Sequence, residues 1–118
     1  MNTAALEALV LLSLDGPRSV HTGHVANPAA YIEDLRRKFL EGRVEGESET
    51  VFLERPAIGV IDAPGPRQVY MVCRSDPQSV FWDPATRSFG CAWGPELPAL
   101  RYIDLGFRSK DVLEMLAA

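Results

Sequence analysis

The hydrophobic pattern changes its period near Thr50, and this change restricts the possible folds more than any other feature. Before Thr50 apolar residues recur at helical spacing, whereas after it β-branched and aromatic runs are separated by proline and glycine. Five or six consecutive strands are predicted, at residues 50–54, 57–61, 68–73, 79–82, 88–93 and 100–105. Connections this short favour antiparallel neighbours, because parallel neighbours need a long crossover.

Helices are predicted on both sides of these strands. The first covers residues 4–14, and the second begins after Asn27 and Pro28 and ends at Gly42. Residues 43–49 are predicted to be a flexible acidic connection, and Ser109 is predicted to cap a last helix over 110–117. The expected fold is a single α+β domain of residues 1–118: an antiparallel sheet of five or six strands, with two N-terminal helices and one C-terminal helix packed mainly on one face.

Charge and N-terminal composition exclude several classes of partner. Twelve Lys and Arg residues against sixteen Asp and Glu residues give a net charge of −4, and the positive charge is spread along the chain. Nucleic-acid binding needs concentrated positive charge, so no nucleic-acid partner is expected. The apolar N-terminal stretch lacks a basic region, contains Glu7 and is too short to span a bilayer. We therefore expect a cytoplasmic protein without a membrane partner.

The usual catalytic and metal-binding residue types are sparse. Cys73 and Cys91 lie in apolar runs, which predicts buried, reduced thiols instead of nucleophiles or a disulfide. His21 and His24 could contribute to a zinc site, but no third ligand lies near them in sequence, so they are interpreted as exposed loop histidines. No cofactor and no metal are expected.

An aromatic-rich region is the strongest candidate for a ligand or partner site. Alternation along the predicted strands sends aromatic side chains to both sheet faces, so one face can pack on the helices while the other binds. Two charged residues in an otherwise apolar strand could contribute to the same site, although ordinary core packing is the alternative. The candidate residues are Tyr70, Phe81, Trp82, Phe89, Trp93, Arg101 and Asp104.

The hairpin sequence V-F-W-D-P-A-T at residues 80–86, followed by a strand and a short capped helix, resembles small bacterial immunity proteins that neutralise secreted toxins. The resemblance covers under half of the chain and implies a partner protein. The predicted function is a bacterial-type binding protein that engages a partner protein or a small hydrophobic ligand through the aromatic region. The alternative is a small enzyme that uses Asp104, Glu54, or His21 and His24 as acid or base.

The first predicted helix is apolar almost all round, which suggests an additional contact. A stripe of Leu6, Leu9 and Val10 would face the core, and this leaves Leu11, Leu12 and Leu14 partly outward. Two-fold pairing is the commonest way to cover such a face, so a homodimer is expected. The alternative is that this segment is a strand or a fully buried helix within one subunit.

Overall fold

The arrangement of elements follows from a computed structural model that describes residues 2–53, 65–76, 78–96 and 101–118. Within these ranges the chain forms three helices and five strands. In chain order they are α1 (Thr3–Asp15), α2 (Pro28–Glu41), β1 (Arg43–Leu53), β2 (Gly65–Cys73), β3 (Gln78–Asp83), β4 (Ser88–Glu96), β5 (Arg101–Ser109) and α3 (Val112–Ala117). None of the described helices has the length and apolarity needed to cross a membrane.

The helix ends are set by local capping. The Asn2 side chain accepts hydrogen bonds from the first N–H groups of α1, and Asn27 does the same for α2. Gly42 ends α2 as predicted. The prediction that Ser109 caps the last helix is wrong, because β5 continues through Ser109. Asp111 caps α3 instead, and its carboxylate accepts the Leu113 N–H.

The five strands form a closed barrel, and this overturns the predicted open antiparallel sheet. Each strand pairs antiparallel with the next, but β1 and β5 pair in parallel, with Val51 opposite Tyr102 and Leu53 opposite Asp104. The sheet is therefore mixed and closed. Hydrophobic alternation and turn residues indicate how sequence neighbours pair, but they carry no signal for contact between the first strand and the last.

The first strand is longer than its pattern predicted. Residues 43–49, predicted to be a flexible connection, form the first half of β1. Gly46 has a φ of +66° at a register shift between β1 and β2. A Cβ there would lie 2.7 Å from Leu6 Cδ2, so glycine allows α1 to approach the strand. The predicted strand at 57–61 lies outside the described residues.

Two separate apolar clusters lie on the two sides of the barrel wall. The interior contains Val51, Val69, Met71, Phe81 and Ala92. The second cluster, called here the outer layer, lies between the helices and the outer face of β2, β3 and β4. It includes Leu6, Val10, Leu35, Phe39, Cys73, Val80, Trp82, Phe89, Cys91 and Leu113. Alternate residues of one strand point to opposite faces, so β3 contributes to both clusters.

Candidate ligand-binding cleft

The outer layer borders an open cleft between the end of α1 and the β3–β4 hairpin. Its volume is about 1150 Å³. The apolar part of its wall consists of Leu9, Leu12, Pro17, Trp82, Pro84 and Phe89. The polar part consists of Ser13, Ser19, Thr86, Arg87, Lys110 and Asp111. A concave wall that combines apolar surface with polar groups able to orient a ligand is a feature of small-molecule sites.

The aromatic floor of the cleft is held rigidly. Trp82 on β3 is the register partner of Phe89 on β4, and their rings meet edge to face with centroids 5.0 Å apart. Only 7% of Trp82 and 2% of Phe89 is exposed, because most of each ring packs in the outer layer. Leu12 on α1 is 70% exposed and forms part of the opposite wall. The cleft thus combines a fixed floor with an accessible apolar side.

Two buried polar side chains connect the base of the cleft to α3. Ser13 Oγ donates to the Lys110 carbonyl at 2.7 Å and accepts the Val112 N–H at 2.9 Å. The Asp111 carboxylate accepts the N–H groups of Ser19 and Leu113 and lies 3.4 Å from Arg18 Nη2. Both side chains are therefore occupied by structural contacts, and they hold α1, the following loop and α3 together.

Two basic side chains at the cleft are unpaired, unlike most other basic residues. Among the described residues, the side chains of Arg87 and Lys110 have no hydrogen-bond or ion-pair partner, and both residues are exposed. Arg87 has a φ of +53°, which non-glycine residues rarely adopt. Elsewhere, arginines are paired with carboxylates: Arg18, Arg36, Arg37, Arg43, Arg67, Arg74 and Arg108.

The barrel interior contains a different, fully paired charge cluster. Arg108 Nη2 lies 3.0 Å from Asp83 Oδ2 and 2.7 Å from Asp104 Oδ2, and its guanidinium carbon lies 4.9 Å from the Phe81 ring centre. Burial alone lowers the pKa of Arg108, but hydrogen bonds and charge from Asp104 and Asp83 offset this and raise that pKa. Asp104 also accepts the Gly106 N–H at 2.8 Å.

Four of the seven predicted site residues lie in these two regions. Trp82 and Phe89 meet at the cleft. Phe81 and Asp104 lie in the barrel interior, both next to Arg108. The chain therefore brings together two pairs from the predicted set, on opposite sides of the barrel wall.

The other three predicted site residues do not line the cleft. Tyr70 is the register partner of Trp82 and is partly buried against the outer layer. Trp93 is 44% exposed, and its Nε1 donates to Gln78 Oε1 at 3.1 Å. Arg101 is exposed at the start of β5, with its guanidinium carbon 4.9 Å from the Phe52 ring centre. The aromatic-rich sequence therefore does not form one continuous surface.

The candidate acids and bases do not converge on the cleft. The His21 and His24 rings stack with centroids 5.4 Å apart, and neither lines the cleft. Asp104 is only 3% exposed, and Glu54 lies outside the described ranges. In the part of the chain that the structure describes, no group of three or more His, Cys, Asp or Glu residues could hold a metal ion.

Both cysteines are buried and free, as predicted. Burial raises the pKa of Cys73 to about 11. Burial, with a smaller effect of the Asp104 charge, raises the pKa of Cys91 to about 12. A thiol with a raised pKa forms little thiolate near neutral pH, so these residues are poorly suited to nucleophilic attack.

Sequence reasoning missed the cleft residues Ser13, Arg87 and Lys110. Ser13 had a usable signal, since it is a polar residue within an otherwise apolar helix. Arg87 and Lys110 had none, because an exposed basic residue beside a turn resembles any solvated side chain. Only the packing of α1 against the hairpin makes them neighbours of the aromatic floor.

Comparison of the chain with protein-family models, with curated proteins and with solved structures finds no match. The resemblance of residues 80–86 to immunity proteins therefore stays a hypothesis.

Proposed function

We propose that this chain is a non-catalytic binding protein that takes a small hydrophobic ligand in the cleft beside α1. The cleft itself carries the proposal: about 1150 Å³ with an apolar wall that includes Trp82, Phe89 and Leu12. Such a wall binds by removing apolar ligand surface from water, and this requires no catalytic group. The concave shape supports a small ligand more directly than a partner protein, because most of the predicted aromatic residues are buried.

The alternative of a small enzyme receives less support from the site. Asp104 is held by Arg108 and the Gly106 N–H, so its carboxylate is already occupied. Asp111, the carboxylate that lines the cleft, is 2% exposed and accepts two backbone N–H groups. A general base needs access to the proton that it removes, and neither carboxylate has such access.

The chain contains two tryptophans, which allow a direct binding test. Trp93 does not line the cleft, so a Trp93→Phe variant leaves Trp82 as the single fluorescent reporter at the site. We expect the uncharged dye N-phenyl-1-naphthylamine to quench Trp82 emission saturably by energy transfer. The absence of saturable quenching up to the solubility limit of the dye would contradict the proposal.

Adjacent leucines on α1 provide a matched pair of variants for this test. Leu12 lines the cleft and is 70% exposed, whereas Leu11 is 45% exposed and does not line it. Leu12→Glu places a charge in the apolar wall and should weaken dye binding about tenfold or more. Leu11→Glu should leave dye binding unchanged. Equal effects of the two changes would indicate a general effect on α1.

The expected homodimer is a separate proposal. Leu14 is 5% exposed and so lies in the core of one subunit, but Leu11 and Leu12 remain exposed on α1. We propose that Leu11, which does not line the cleft, lies at the centre of a two-fold contact made through α1. Light scattering should give twice the monomer mass for the intact protein and the monomer mass for Leu11→Glu. A monomeric intact protein would contradict this proposal without affecting the dye test.

A further inference from the structure

We infer that the ligand is an anionic amphiphile: a soluble molecule with an apolar tail and an oxyanion head such as a carboxylate. The tail would lie against the exposed apolar wall at Leu12, Pro17 and Pro84, above the aromatic floor, and the head would lie near Arg87 and Lys110. This inference rests on the proposed function and specifies the chemistry of the ligand at the same cleft.

The distribution of unpaired cations is the first support. In an acidic chain most basic side chains find carboxylate partners, as seven arginines do here. Within the described ranges, the basic side chains without a hydrogen bond or ion pair are Lys38, Arg87 and Lys110. Two of these three line the same cleft. The concave apolar surface is therefore bordered by positive charge that is available to a ligand.

The acidic residue of the cleft does not cancel this charge. Asp111 is 2% exposed, its oxygens accept the N–H groups of Ser19 and Leu113, and its carboxylate faces Arg18. Its negative charge is thus offset by Arg18 and by these two N–H groups. An entering head group meets the exposed cations of Arg87 and Lys110 instead, and positive charge attracts an anion.

The backbone of the β3–β4 turn places Arg87 at the cleft. The turn before it is held by the Asp83 carboxylate, which accepts the Ala85 N–H at 2.9 Å, and by a contact of 2.8 Å between the Thr86 and Ser88 hydroxyl groups. Arg87 follows with a φ of +53°, a conformation that favours glycine. A residue of positive φ commonly ends a hairpin turn, so this backbone sets the position of Arg87 at the edge of the cleft.

The two cations suit an oxyanion head. A guanidinium group can donate two parallel hydrogen bonds to one carboxylate, and an ammonium group adds a compact positive charge. The concave wall favours a single molecule that buries its tail, so the inference commits to a soluble amphiphile. An anionic lipid in a membrane surface offers similar head-group chemistry, and the experiment distinguishes the two.

The test compares ligands that share a tail and differ in the head. Decanoate, decanol and decyltrimethylammonium are used to displace N-phenyl-1-naphthylamine from the Trp93→Phe protein. We expect decanoate to bind about tenfold more tightly than decanol, and the cationic compound to bind most weakly. The advantage of decanoate over decanol should shrink as salt is raised, because salt screens exposed charges.

Substitutions then identify the groups that bind the head. Arg87→Gln and Lys110→Gln should each weaken decanoate binding about three- to fivefold and leave decanol binding unchanged. Lys38→Gln is the matched control, since Lys38 is also an unpaired cation but does not line the cleft. It should change neither affinity.

The outcomes separate this inference from the proposed function. If the dye binds but decanoate and decanol displace it equally, the anionic head is refuted and the hydrophobic cleft stands. If the dye does not bind, both proposals fail. Equal losses of decanoate and decanol in Arg87→Gln or Lys110→Gln would refute the head-group role. If the protein sediments with phosphatidylglycerol vesicles but does not bind decanoate, the inference of a soluble amphiphile is refuted in favour of a lipid in a membrane surface.

Discussion

The barrel interior and the cleft use charged residues in opposite ways. In the interior, Arg108 lies between Asp83 and Asp104, and the side chains of all three are 3% exposed or less. At the cleft, Arg87 and Lys110 are exposed and lack acidic partners within the described residues. The interior carboxylates are buried and paired, with Arg67, 3.4 Å from Asp83, as the second cation, whereas the two cations at the cleft have no such partners in the described part of the chain.

This difference separates the predicted site residues by the contacts that their side chains already make. Asp104 and Phe81 were predicted to be binding residues. In the structure Asp104 forms an ion pair with Arg108, and the Arg108 guanidinium lies over the Phe81 ring. Buried ions must be paired to offset their desolvation, and the ion pairs of Arg108 do this for Asp83 and Asp104. Under the proposed function, the groups that contact the ligand are the exposed ones beside the apolar wall of the cleft.

The largest expected effect tests the interior charge cluster. Arg108→Met leaves Asp83 and Asp104 buried without their shared cation, and we expect the free energy of unfolding to fall by about 3–5 kcal/mol. Urea denaturation measures this change. Arg37→Met is the control, because Arg37 is 60% exposed and solvent screens its ion pairs, so its loss should change stability far less. Similar losses in both variants would contradict a special role for the interior cluster.

The second prediction concerns the base of the cleft. Ser13→Ala removes the acceptor of the Val112 N–H and the donor to the Lys110 carbonyl, and should cost about 1–3 kcal/mol of unfolding free energy. Ser48→Ala, at an exposed position of β1, should have almost no effect. An unchanged stability of Ser13→Ala would show that this bridge does not hold α1 to α3.

The third prediction examines the outer layer that lies behind the cleft. Burial raises the pKa of Cys73 and Cys91 from 9.0 to about 11 and about 12. The unfolded chain therefore loses these protons at lower pH than the folded chain. The contribution of the two protonated thiols to the free energy of unfolding is complete below pH 9 and is lost as the pH rises toward the folded pKa values. Between pH 9 and pH 10 the free energy of unfolding should fall by about 1 kcal/mol per thiol.

Denaturation of the wild type and of Cys91→Ala across pH 8–10 tests this dependence. The substitution lowers stability at every pH because it removes buried volume, so the slope with pH is the relevant quantity. Cys91→Ala should have the shallower slope. Identical slopes would mean that Cys91 ionises as readily in the folded protein as in the unfolded chain, and the outer layer would then be open to water.

The smallest expected effect is at the cleft rim. Arg87→Gly removes the steric cost of the positive φ and should raise the free energy of unfolding by up to about 1 kcal/mol, while Arg87→Ala should give no such gain. Arg87→Gly should also lose affinity for decanoate. A gain in stability together with a loss of binding would show that the native residue is retained for the ligand.

Local features were predictable because neighbouring residues decide them. Asn27, Pro28 and Gly42 define α2 in both the sequence and the structure, since capping depends only on nearby backbone groups. The strands at 68–73, 79–82 and 88–93 correspond to β2, β3 and β4 within a few residues at their ends. The burial of both cysteines followed from their apolar surroundings.

The sequence by itself thus determined the helix caps, the central strands and the apolar character of the packing surfaces, because these depend on local backbone and side-chain preferences. Only the tertiary structure decided that β1 meets β5 and closes a barrel, which places Phe81 and Asp104 inside and Trp82 and Phe89 outside. The cleft also arises at this level. Its cations and its aromatic floor come from segments far apart in sequence, and no local pattern encodes their meeting.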